Sequence, residues 1–431
     1  MNLRYVVAAA LAVAVAAGAP TAGARTDGTD AAKATTLTVW LMTDAQGPDW
    51  AAVVSAANRA FEASHPDANV KVEIQTWGEH LTKLDAALAG GRAPDVVELG
   101  NTETTKYMAA GALANLTASK ARFPNNATWL NALKGSCTYQ SRLYCVPYYA
   151  GARAVIYRKD HYGAVGMRKA PASLDAFVAA GKKVMARHKS DRNYSALYFP
   201  GKYWYAGMSF VYDYGGAIAR FKNGKWVGTL NSPQAIAGLT KLKSTVLALS
   251  RANKTGTEAN QWTVFSQGHV GADIANGWEW GLISDPKIGD PALAPVLGAF
   301  PMPSHNKGKF MPTFLGGSDL AIPASSSNRA LAVDWIRAYT STPVMRQLTS
   351  SAGVIPNTTS LLGINASKPT LAPFARAATS SWFVPTAPNW VNVENAQVLQ
   401  NMLAEIFTGR RTIKSAADRA SAQITQILNS R

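Results

Sequence analysis

Cysteine, histidine and acidic side chains are all scarce in this chain. Two cysteines and six histidines in 431 residues exclude a disulfide-built scaffold and a metal protein rich in cysteine or histidine. Only 26 acids face 43 basic side chains, a formal charge of +17. That balance favours polyanionic neighbours, yet the basic residues are scattered or paired, as in Lys182, Lys183, Arg187, Lys189 and Arg192. No recognition signature accompanies them, so no nucleic-acid partner is expected. Beyond Ala19 no apolar run approaches the length of a membrane span. Also missing are the nucleophile elbow G-x-S-x-G, the P-loop G-x-x-x-x-G-K-[ST] and the dinucleotide fingerprint G-x-G-x-x-G.

What remains is a folded, tryptophan-rich chain, 47% apolar with 12 Trp, too long for one ordinary core. Two lobes are expected.

Residues 1–24 carry Arg4, the apolar run Val6 to Ala19 and the small residues Ala22-Gly23-Ala24. This is the pattern of a signal peptide, with cleavage before Arg25 or, alternatively, after Ala19. The run is too short to span a bilayer. An oxidising compartment would let Cys137 and Cys145, in GSCTYQSRLYC, close a hairpin-like loop by a disulfide. Their C-x7-C spacing suits neither redox nor zinc chemistry, and His65, His80, His161, His188, His269 and His305 show no paired spacing. No metal and no cofactor are expected.

Along the chain, LTVWLM (Leu37 to Met42) reads as a buried strand, Trp50 to Ser64 as a helix, and Val70, Val72 and Ile74 as a second strand. Leu81 to Ala89 is a second helix, and PDVVEL (Pro94 to Leu99) begins a third strand. Such βαβ order predicts an α/β fold on a parallel sheet, with ligand beyond the strands' carboxyl ends. Further strands are predicted over Tyr144 to Tyr157, Gly271 to Ala275 and Gly317 to Ile322. Helices are predicted over Ser173 to Arg187, Pro233 to Ser250, Asn328 to Thr340, Pro343 to Ser351, Val391 to Gly409 and Thr412 to Leu428.

In this order the segments FEASHPDANVKVEIQTW, LAGGRAPDVV, YMAAGALANLT, LYCVPYYAGARAVIYRKD, PASLDAFVAAGKKV, FSQGHVGADIANGWEWG, FLGGSDLAIPASS and SSAGVIPNTTSLL resemble the extracellular solute-binding proteins of carbohydrate ABC transporters, the family 1, maltose-binding-protein-like group. The resemblance implies the two-lobed periplasmic-binding-protein type II fold, with residues 36–148 and 320–362 in the first lobe and 149–319 and 363–431 in the second. It implies an oligosaccharide held in the cleft by closure of the lobes, chito- or cello-oligosaccharides being the kind suggested. Delivery to ABC transporter permease subunits by a secreted, monomeric protein follows, periplasmic or at the outer membrane face. Many Gram-positive relatives begin with a lipid-modified cysteine; here no cysteine precedes Cys137.

A sugar offers apolar C–H faces rimmed by hydroxyls, so its site needs flat aromatics and fixed polar side chains. Trp278, after Asn276-Gly277, is expected to turn its indole outward as a sugar platform, with Glu279 beside it. Trp204 and Tyr205 match a second aromatic position of the family, and either Trp382 or Trp390 a third. From the first lobe, Asp44, Trp77, Asn101 and Glu103 follow the first three strands, with Thr43 and Glu79 beside them. Tyr148, Tyr149 and Arg153 flank the first crossover, and Gly316-Gly317 would admit a ligand close to backbone. The alternative is a secreted glycoside hydrolase, which also needs an aromatic cleft and carboxylates.

Overall fold

The computed structural model describes residues 34–46, 48–258 and 261–430. The expected signal peptide, residues 1–24, lies outside the described residues. The first segment behaves as its pattern requires. β1 (Thr35–Met42) and β2 (Ala68–Gln75) pair in parallel along their whole length, with helix Pro48–Ser64 as the crossover. β3 (Val96–Gly100) joins the other edge of β1 after helix His80–Ala89. The inward residues Leu37, Val39 and Leu41 are fully buried against Val53, Ala57 and Phe61 of the crossover helix.

The sheet then departs from the all-parallel expectation. β4 (Cys145–Arg158), β6 (Leu297–Phe300) and β7 (Thr313–Ala321) complete a path in the order β6-β4-β7-β3-β1-β2, and β5 (Ala272–Asn276) pairs with β4 off that path. β7 runs antiparallel to both β3 and β4, so the sheet is mixed. The long β4 changes partners midway. Cys145 to Ala152 pair with β7, whereas Arg153 to Tyr157 pair with β5 and Val155 to Arg158 with β6.

The core changes with the partners. One apolar cluster holds β1–β3, the start of β4 and helices Arg329–Tyr339 and Thr342–Ala352. Another packs helices Leu174–Arg187, Trp204–Asp213, Pro233–Leu249, Val398–Thr408 and Ile413–Leu428. A smaller cluster around Ala150, Ala152, Leu315 and Phe374 lies where β4 and β7 meet.

Local signals set most boundaries. Ser173, Ser232 and Thr412 each accept a backbone N–H three residues on, which starts their helices where the sequence places them. The helix expected over Val391 to Gly409 is instead two, Trp390–Asn395 and Val398–Thr408, broken at Gln397 with φ +50°. Cys137 and Cys145 form a disulfide. Between them Thr138–Tyr139 and Arg142–Leu143 pair as a hairpin, with Gln140 and Ser141 at φ +47° and +64°. Among the described residues no helix is long and apolar enough to cross a membrane.

Candidate functional site

The carboxyl ends of β1, β2 and β3 open onto a cleft of about 630 Å³, within the roughly 300–1,000 Å³ typical of small-molecule sites. Asp44 enters from the turn after β1, Trp77 from beyond β2 and Asn101 and Glu103 from beyond β3. These side chains are wired together. The Trp77 indole N–H donates to Asp44 at 2.7 Å, its ring stands edge-on to His80, and His80 Nε2 meets Glu103 at 2.8 Å. Glu103 also accepts the Gly100 N–H at 2.8 Å. Burial would lower the pKa of His80, but the hydrogen bond and charge of Glu103 outweigh it and hold the ring above its ordinary range. Asn101 donates its side-chain amide to the Leu315 carbonyl at 3.1 Å, which ties β3 to β7 at the cleft.

The floor is β4 and β7 seen from one face. Tyr149, Gly151 and Arg153 alternate along β4, and Phe314, Gly316 and Ser318 along β7, and all six line the cleft. Gly317 lines it too, at φ +150°. A Cβ there would meet the Tyr149 carbonyl at 2.0 Å, so the close approach of β7 to β4 requires glycine. Arg153 is held at Nε by the Tyr203 hydroxyl at 2.9 Å, with its guanidinium over the Tyr205 ring and Glu258 at 3.8 Å.

Trp278 lines the opposite wall with Asn276, Gly281 and Leu282. It caps the start of the short helix Glu279–Ile283, and its ring packs close to Gly151, where an added Cβ would meet the indole Cη2 at 2.6 Å. Tyr205 and Phe314 stack at 4.8 Å and supply a second aromatic surface. Glu394 closes one end. It accepts the Trp390 indole N–H at 2.6 Å and the Thr102 hydroxyl at 3.3 Å, joining the loop after β3 to the C-terminal helices. Burial pushes its pKa up to about 8.

Several expected positions are corrected. Trp204, Trp382 and Trp390 do not reach the cleft; each is at most 5% exposed and packs in the layer behind Phe314 and Tyr205. Trp204 sits in the first turn of a helix rather than in a loop, which turns it inward. Glu279 is buried and turned back on the end of β5, where it accepts from the Asn276 backbone N–H at 2.8 Å and from Gln261 at 3.2 Å. Tyr148 is fully buried, bonded to Trp50 and Tyr339, and Glu79 points to solvent beside Lys83. Among the lining residues missed are Trp50, Gly151, Phe314 and Glu394. Strand alternation announces Gly151, between Tyr149 and Arg153, and Phe314 and Ser318, two residues either side of Gly316.

With this geometry in view, comparison with known proteins is specific. Residues 43–346 match the family described as bacterial extracellular solute-binding protein. The diacetylchitobiose binding protein DasA of Streptomyces coelicolor is 32% identical over 94% of this chain and 91% of its own. A mannitol-binding protein of Pseudomonas aeruginosa is 23% identical over 86% and 87%. Among solved structures, the GacH receptor of Streptomyces glaucescens superposes with a TM-score of 0.77 at 21% identity, covering 92% of this chain and all of that one. Maltose-bound MalE3 of T. maritima superposes at 0.75 and 21%, covering 91% and 99%. Such likeness at this identity carries the two-lobed solute-binding fold, while the family match carries membership: this chain belongs to the bacterial extracellular solute-binding proteins.

Proposed function

We propose that the protein is the extracytoplasmic capture component of an ABC importer for an oligosaccharide, with a β-linked N-acetylglucosamine disaccharide as the first ligand to test. The observation that carries this reading is the cleft itself: Trp278 on one wall, Tyr205 and Phe314 on another, and polar groups from three strand ends between them. A sugar ring has apolar faces to stack and hydroxyls to bond, and this wall chemistry suits both. A relative that covers 94% of this chain and 91% of its own is named for diacetylchitobiose, which supports the linkage chosen.

In this reading the lobes are residues 36–148 with 320–362 and residues 149–319 with 363–431, each built round its own apolar cluster. Ligand-contacting residues are Asp44, Trp77, Asn101, Glu103, Tyr149, Arg153, Tyr205, Trp278 and Gly317, joined by Phe314 and Glu394. The partners are membrane permease subunits, the place of action is outside the cytoplasmic membrane, and the protein acts as a monomer.

Binding rather than hydrolysis is supported by the carboxylates that line the cleft. Asp44 is engaged by Trp77, Glu103 by His80 and Gly100, and Glu394 by Trp390 and Thr102. A glycosidase needs an opposed pair poised on either side of the scissile bond. Calorimetric titration with diacetylchitobiose, cellobiose, maltose and mannitol tests the reading. Tight binding of a disaccharide recovered intact after incubation is expected. No binding to any of them, or release of monosaccharide, would refute it.

A further inference from the structure

The hairpin formed by Ala219–Lys222 and Lys225–Gly228 stands outside the main sheet: its strands pair only with each other. Asn223 and Gly224 make the turn with φ +49° and +77°, the turn that matches a twisted two-residue hairpin. On one face Phe221 opposes Trp226, ring centroids 5.4 Å apart, and Phe221 is 60% exposed. On the other face Lys222 opposes Lys225, and Arg220 opposes Val227, itself exposed.

Two like charges directly across a ladder destabilise it, and no acid relieves them here. Between Asp213 and Glu258 the chain holds no Asp or Glu, but it holds Arg220, Lys222, Lys225, Lys241, Lys243, Arg251 and Lys254. The helix backing the hairpin offers it Thr425 and Asn429, both uncharged. Lysines alone could serve to keep a short edge from pairing with other strands. An exposed phenylalanine next to Lys222, on the other face of the ladder, works against that purpose, and it exposes apolar surface that folding leaves unused.

We infer that this hairpin is a docking element for an anionic phospholipid bilayer, approached by its Asn223-Gly224 turn so that both faces reach the surface, with Arg220, Lys222 and Lys225 on one face meeting lipid phosphates and Phe221 on the other entering the interface. Clustered lysine and arginine are drawn to anionic lipid surfaces. Exposed aromatic and aliphatic side chains gain from the apolar boundary just below. A hydrated polyanion would satisfy the cations and leave Phe221 as exposed as before; a bilayer satisfies both. The inference is independent of the ligand assigned to the cleft, which the hairpin does not line.

The test is co-sedimentation of the full secreted chain with vesicles of phosphatidylcholine containing phosphatidylglycerol, and with vesicles of phosphatidylcholine alone. Binding is expected only to the anionic vesicles and should vanish in high salt. Lys222→Glu with Lys225→Glu should lower the partition coefficient by more than about tenfold. Phe221→Ala should lower it about fivefold. The control Lys182→Glu with Lys183→Glu makes the same change in net charge on exposed residues of helix Leu174–Arg187 and should bind as the parent does. If the charge-reversed hairpin melts early, Lys222→Gln with Lys225→Gln reads the same quantity. Absence of binding to anionic vesicles, an equal loss in the helix control, or parental binding by Phe221→Ala would each overturn the proposal, the last in favour of a polyanion.

Discussion

Trp278 owes its place at the cleft to a glycine. An added Cβ on Gly151 would lie 2.6 Å from the indole Cη2 and 2.9 Å from Asn276 Oδ1, closer than van der Waals contact permits. Gly151→Ala should therefore push the ring into the space a sugar would occupy. We expect at least a tenfold loss of sugar affinity, about 1.4 kcal/mol, measured by calorimetry. Trp278→Ala should cost at least as much affinity while shifting the melting temperature by only a few degrees, because the ring is partly exposed rather than sealed in either core. Truncation of a core tryptophan such as Trp390, 1% exposed, should instead cost roughly 3–5 kcal/mol of folding stability. These residues mark how far the sequence could be read. Trp278 was legible because Asn276-Gly277 end a strand beside it. Trp204 was not, because its inward turn depends on a helix, Trp204–Asp213, whose apolar residues all round give no amphipathic rhythm to read.

The crossover helices and parallel strands between Thr35 and Gly100 were legible because apolar spacing and alternation act over a few positions. The antiparallel course of β7 was not, since strand direction is fixed by partners far away in the chain, here Gly100 and Ala150. The break at Gln397 was equally hidden: its positive φ is imposed by the packing of two helices, and glutamine carries no turn signal. The cysteine hairpin lies at the other extreme, announced by spacing alone. Its disulfide closes a short loop, worth about 2.5 kcal/mol in the chain-entropy account. Cys137→Ala with Cys145→Ala should lower the unfolding free energy by that order, read from urea unfolding. The sugar affinity should persist, since neither cysteine lines the cleft.

Buried carboxyl groups give the entire fold a pH dependence. Burial pushes Glu98 and Asp319 up to about 7 each, although Glu98 accepts from the Met42 N–H and Asp319 from Thr104 and Ser136. In the unfolded chain such groups titrate near 4. The native state therefore holds protons that the unfolded chain has released. Their stabilising contribution is complete below about pH 4 and is lost as pH rises through about 7. His161 works in the opposite sense: burial pushes it down to about 4, so its contribution fades as pH falls below about 6.5. With two such acids against one histidine, the melting temperature should fall as pH rises from about 5 and be several degrees lower at about pH 8.5. Scanning calorimetry across that range checks it, and a flat profile would contradict the burial of Glu98 and Asp319 as neutral acids.

The course of β4 has a mechanical meaning. One strand leaves the first core, crosses the cleft as its floor and enters the second core. In the proposed reading, a sugar resting on Tyr149, Gly151 and Arg153 would touch the strand that links the two halves. In that reading the ligand would act as a splint on the joint itself, and the angle between the halves and the occupancy of the cleft would become one variable. Stiffening or loosening this strand would shift affinity and shape together, even at positions the sugar never meets.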